Sequence, residues 1–232
     1  MQDWLSYRPS DLLLFSPRTY YRLFELYHQA IWPAQLIALV LVVAILVLLR
    51  RDDAWRGAAI AALLAACWLW VAAAFQLRRY ATINWAARYF AVLFVVQAAV
   101  LVWYGPIRRR LSFRRPPPGA TWSAPTLFLL AVVLPPLAGR GADRTWGQVE
   151  LVGLTPDATA VATLGLLLLA RPRAPRALVI APLCWCVIGG ATLWALESPE
   201  AWVSAGAGIA GVAAVLRRSG AAGRSRERSV RK

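Results

Sequence analysis

Long apolar runs, separated by short polar, Arg-rich connections, dominate the 232-residue chain. A helix crossing a hydrocarbon core of about 30 Å needs about 20 apolar residues at ~1.5 Å rise each. Seven stretches approach that length: Ile31 to Leu49, Ala58 to Leu77, Tyr89 to Tyr104, Ser123 to Ala138, Pro156 to Ala170, Leu178 to Leu196 and Ala201 to Leu216. Apart from Asp157 in the first turn of the fifth stretch, none carries Asp, Glu, Lys or Arg between its ends. The pattern predicts an all-α, polytopic transmembrane bundle of seven spans. Trp, Tyr and Arg punctuate the ends of these spans, as amphipathic rings at headgroup level do.

The residues before the first span follow a different period. Ser16-Pro17 predicts an N-cap followed by Pro at the first helical position. Tyr20, Leu23, Phe24 and Tyr27 then recur at helical spacing, with Arg18, Arg22, Glu25 and Gln29 on the opposite side. An amphipathic helix from Pro17 to Ala30 is therefore expected, lying on the membrane surface or across the mouth of the bundle. Pro33 marks a break before the first span.

The organisation that follows is an extracytoplasmic amphipathic segment over 1–30, a three-span half over 31–104, and a basic Pro-rich linker over 105–122. A four-span half over 123–216 and a basic tail over 217–232, expected to be disordered, complete it. Residues 139–157, half polar before a short fifth span, leave both a thin helix with an interfacial loop and a partly re-entrant loop open.

Composition sharpens this picture. Hydrophobic residues make up 59% and charged residues 16%, against about 45–50% and about 25% in soluble domains. Three cysteines exclude a disulfide-stapled fold. With seven spans, the connections on the N-terminal side hold eight Lys and Arg and those on the C-terminal side eighteen. Basic short loops remain cytoplasmic, so the N-terminus is expected outside and the C-terminus inside, in a bacterial plasma membrane. The basic face matches anionic inner-leaflet lipid, and no nucleic-acid partner is needed to explain it.

Chemistry-bearing motifs are sparse. No metal site, cofactor motif, phosphate loop or nucleophile elbow is present, and no enzyme activity is expected. Cys184 and Cys186, two residues apart, face opposite sides of a helix and cannot share a metal. Gln97, at mid-span, is expected to join helices through its amide. Mixed polar chemistry gathers only where the outer connections meet: Glu25, His28, Arg78, Arg79, Asn84, Arg88, Asp143, Glu150, Asp157 and Glu197. Of these, Glu25, His28, Arg78, Asn84, Arg88, Glu150, Asp157 and Glu197 form the candidate site, with Asp157 a possible partner of Arg88 or Arg78. Ser204, Gly208 and Gly211 form a small-residue face on the seventh span, suited to a close helix partner in this chain or another.

The stretches LLLFSPRTYYRLFELYHQAIWP, RRYATINWAARYF, GLTPDATAVATLGLLLL and WCVIGGATLWAL resemble a family of uncharacterised bacterial multi-pass membrane proteins, some of whose members carry the label permease. The resemblance implies a membrane bundle and no known catalytic residue. Two functions are expected to compete. One is a permease-like or solute-binding protein with an outward-facing polar vestibule. The other is a non-catalytic structural or assembly subunit of a membrane complex.

Overall fold

A computed structural model describes residues 15–51, 53–113, 124–170, 174–198 and 201–209. The RRPPPG stretch, the basic tail and Gly211 lie outside the described residues. The order is α1 (Pro17–Ala30), α2 (Ala34–Arg50), α3 (Arg56–Trp70), α4 (Ala87–Val102), α5 (Ala124–Gly141), α6 (Pro156–Leu169) and α7 (Ala177–Ala195). An eighth helix, α8, runs over 201–209. Among the described residues there is no strand.

By length and composition, three helices can cross a membrane: Arg56–Thr82, Ala87–Ile107 and Ala177–Ala195. A fourth is added if α1 and α2, bent by 88° at their junction, count as one span. The described residues therefore support three or four spans rather than seven. The fifth expected span falls short for a physical reason. At 14 residues, α6 rises only about 21 Å, and its residues from Pro156 to Leu164 are all buried. A helix buried on every side is an interior helix. It contacts α3, α5 and α7.

With α6 as a member, the helices form a closed ring. Contacts run from α2 to α3, α3 to α4, α4 to α7, α7 to α6, α6 to α5, and from α5 back to α2. The helices before the Pro-rich stretch, α2 to α4, and those after it, α5 to α7, thus form the two halves of one ring and share one core. Gln97 makes one of these joints, donating from Nε2 to the Leu178 carbonyl at 2.9 Å. α8 packs on α7 through its small residues: a Cβ on Gly208 would lie 3.4 Å from the Cys186 Cβ, and one on Gly190 3.6 Å from the Ala205 nitrogen. Within the described residues, α7 is the partner of the small-residue face. Cys186 is buried and Cys184 exposed, on opposite faces as their spacing requires.

Two helices widen before they end. α3 continues as a π-helix over Val71–Leu77 and α4 as one over Trp103–Ile107. The second contains Pro106, which has no N–H to donate, and the Arg108 nitrogen reaches back five residues to the Trp103 carbonyl at 2.9 Å.

α1 starts as expected, with Ser16 Oγ accepting from the Thr19 amide at 3.2 Å. Its aromatic face is buried, while Arg18, Arg22 and Gln29 are exposed. It packs across the end of the bundle. Phe24 and Tyr27 meet Phe75 at centroid distances of 5.1 and 5.3 Å. Tyr80, expected at the membrane interface, belongs instead to this cluster and is buried; its ring lies 6.1 Å from Tyr20.

Candidate functional site

Alternate connections converge on opposite ends of the bundle. At one end Arg56 donates to the Phe113 carbonyl. At the other, α1 bonds to two connections, the one after α7 and the one between α5 and α6. Tyr21 donates to Ser198 Oγ at 2.9 Å, Tyr27 to the Leu154 carbonyl at 2.9 Å, and His28 Nδ1 to the Gly147 carbonyl at 2.9 Å. The latter end holds every residue of the predicted cluster, but in separate places.

The first place is an open cleft of about 1020 Å³ between α1, residues 78–83 and the loop after α5. Arg18, Arg22, Arg78, Arg79 and Arg144 line it, with Glu25 and Gln148. Glu25 is paired with Arg22 at 2.8 Å. The Arg144 guanidinium lies 3.3 Å from the centroid of the Tyr21 ring, a cation–π contact that fixes its position on α1. Glu25 and Arg78 are the two predicted site residues found here. Arg18, Arg22, Arg144 and Gln148 were not in the prediction. The signal for Arg18 and Arg22 was their i, i+4 spacing on the polar face of α1.

The second place is closed. Asp157, 5% exposed, accepts from Trp185 Nε1 at 2.5 Å and from Ser204 Oγ at 3.4 Å. Glu150 Oε2 accepts from the Ala158 amide at 3.0 Å, placing a carboxylate on the N-terminus of α6, where backbone N–H groups and the helix dipole favour it. A void of about 20 Å³ lies among Glu150, Asp157 and Ser204, close to the room one water needs. Gly189 allows this packing, since a Cβ there would stand 2.4 Å from Asp157 Oδ1. The suggested pairing of Asp157 with Arg88 or Arg78 is not among these contacts: Arg88 is exposed and Arg78 lines the cleft.

Behind Asp157 a threonine ladder runs along α6. Thr163 accepts from Trp68 Nε1 at 2.9 Å, and Thr159 accepts from the Gly153 amide at 2.9 Å. Both hydroxyls also donate to the carbonyl four residues earlier. These bonds satisfy polar side chains that the interior would otherwise penalise.

The other predicted residues shape the backbone. Asn84 Oδ1 accepts from the Ala86 amide at 3.0 Å, a turn that starts α4. Glu197 takes a left-handed φ of 55° at the end of α7, and the next amide, Ser198, bonds back to Leu193 at 2.9 Å. Asp143, with φ 58°, closes α5 similarly, Arg144 bonding back to Gly139 at 3.0 Å. His28 is buried and turns to Gly147 rather than to Glu25 at i−3. Burial holds its pKa below the ordinary histidine value, opposed by the Gly147 contact. No group of three or more His, Cys, Asp or Glu among the described residues is placed to hold a metal ion.

A helical bundle of this kind, with apolar helices long enough to cross a bilayer, is the class the coordinates define. Residues 18–226 match a family of unknown function, DUF6064, and the chain belongs to that family. No curated protein and no solved structure matches the chain.

Proposed function

We propose that this is an integral, multi-pass membrane protein of the permease-like or solute-binding kind. In this reading the cleft at the α1 end is an outward-facing vestibule for an anionic solute. The single observation that carries it is the cleft itself: five arginines from three separate parts of the chain face about 1020 Å³ of open space, with one glutamate among them. An assembly subunit has no need of such an opening, and the described part of the small-residue face on α8 packs on α7 at Gly208 and Gly190.

The orientation follows from charge. Connections sharing the α1 end carry few basic residues and most of the acids, and those at the Arg56–Phe113 end carry most of the arginines. This supports a cytoplasmic C-terminus in a bacterial inner membrane. The exposed rings at the α1 end, Trp32, Trp85, Tyr89 and Trp146, suit the headgroup level.

Cysteine accessibility tests the reading. Thr82→Cys, in the cleft, should react with a membrane-impermeant maleimide on intact bacteria, whereas Arg176→Cys should react only after permeabilisation. Labelling in the reverse order would remove the outward vestibule.

A further inference from the structure

Resting on the vestibule reading, we infer that the cleft takes a ligand bearing a phosphoryl group on a partly apolar body, either an anionic lipid headgroup or a soluble phosphate ester. Three features of the cleft lead there.

The first is charge. Arg18, Arg22, Arg78, Arg79 and Arg144 face the cleft with Glu25 as the acid among its lining residues, and Glu25 is already engaged by Arg22. A single carboxylate would neutralise only part of that field. A phosphoryl group brings up to about two charges and three acceptor oxygens, and guanidinium forks match such oxygens two at a time. The second feature is size. A volume of about 1020 Å³ lies at the top of the range of ~300–1,000 Å³ usual for ligand pockets. Inorganic phosphate alone would leave most of it filled with water. The third is the wall. Leu23, Leu26 and Ile83 share the lining with the arginines, and Leu26 is 44% exposed. An apolar portion of the ligand therefore has surface to cover, worth roughly 25 cal/mol per Å² buried.

The arginines come from α1, from the turn after the π-helix and from the loop after α5. An anion bridging them ties together three segments that otherwise meet through contacts such as Tyr20 with Tyr80 and Tyr21 with Arg144. Binding is then expected to stabilise the fold by linkage.

The experiment uses the full chain in phosphatidylcholine nanodiscs, with calorimetric titration of glycerol 3-phosphate and of a short-chain phosphatidic acid. Succinate and acetate serve as carboxylate controls. At least one phosphoryl probe should bind, more tightly than either carboxylate, and more weakly as salt rises. Arg78→Gln with Arg79→Gln should raise its Kd about tenfold or more, equivalent to ~1.4 kcal/mol. Glu25→Gln should lower it severalfold, an opposite sign that a damaged fold cannot mimic. Preference for phosphatidic acid identifies a lipid source, and preference for glycerol 3-phosphate a soluble one; either supports the proposal. Equal binding of succinate overturns the phosphoryl class while leaving an anion vestibule standing. Binding that ignores the arginine variants overturns the site. If phosphoryl binding persists but Thr82→Cys is labelled only after permeabilisation, the ligand class stands and the outward vestibule falls.

Discussion

The open cleft and the Asp157 node lie at the same end of the bundle and carry opposite charge. In the cleft, arginines project into solvent-sized space from separate parts of the chain. At the node, a carboxylate is enclosed by an indole N–H, a hydroxyl and a missing Cβ. Exposed like charges cost little in high dielectric. A buried carboxylate is tolerable only because donors are aimed at it. One region is therefore organised for exchange and the other for rigidity, and substitutions of equal charge should separate them.

The largest expected difference comes from charge reversal. Asp157→Arg places a larger cation against the Trp185 N–H and removes the acceptor, with an expected loss on the order of 3–5 kcal/mol. Arg78→Glu in the cleft changes charge by the same amount in the opposite direction, and its stability should stay within about 0.5 kcal/mol. Thermal unfolding in detergent micelles, followed by circular dichroism, compares the two. Equal tolerance would mean that the node is not a structural joint.

Gly189→Ala probes the same node without touching charge. The new methyl would stand 2.4 Å from Asp157 Oδ1, and overpacking of this kind costs about 1–3 kcal/mol. Because the clash is with Asp157, the double variant Gly189→Ala with Asp157→Ala should lose less than the two single losses added together. Strict additivity in the unfolding data would place the origin of the Gly189 effect elsewhere.

Much of α1 could be read from the sequence, because cap, period and face all follow local rules: Ser16, Pro17 and the Tyr20 to Tyr27 face sit where those rules put them. The apolar runs likewise predicted the helices of the core. The span count did not transfer whole: hydropathy marks α6 as apolar without saying whether lipid or protein surrounds it, and residues 210–216 of the seventh stretch lie outside the described residues. The site was legible only as a shared end of the molecule. Sequence placed Glu25 and Arg78 with Glu150 and Asp157, but whether a side chain faces an opening or a helix terminus depends on packing between distant segments. Trp185 and Ser204 carry no local signal that they meet Asp157, and VAAAFQL carries none for a π-helix. Gln76 in that segment is fully buried, and its amide atoms meet no partner among the described residues.

Tyr27 links α1 to the loop before α6 and to α3, and its effect should be smaller. Its hydroxyl donates to the Leu154 carbonyl and accepts from Trp70 Nε1, each at 2.9 Å. Tyr27→Phe keeps the ring against Phe75 and removes both bonds, with an expected loss of about 1–2 kcal/mol. If α1 clamps the loop before α6, hydrogen exchange of the Leu151 to Thr155 amides should speed up in the variant. Unchanged exchange there would show that the ring alone holds the contact.

The smallest effect is expected from His28, on the same helix face, and it should appear only with pH. The neutral ring donates Nδ1–H to Gly147, while Nε2 is buried with no partner in the described residues. Protonation would put a charge and an unanswered donor in that place, so burial lowers the pKa from its ordinary 6.5. A lowered value means that the unfolded chain takes up a proton before the folded one does. The stability His28 contributes is therefore complete above 6.5 and is lost as pH falls from there through the folded value. Docking of α1, followed by amide exchange at Gly147 and along α1, should weaken over that window. His28→Asn keeps a donor for Gly147 without a titrating group, so its slope over the same window should flatten. Glu150 and Asp157 are present in both proteins, and the difference between the two slopes isolates the histidine. Identical slopes would show that the pH response of this end does not arise from His28.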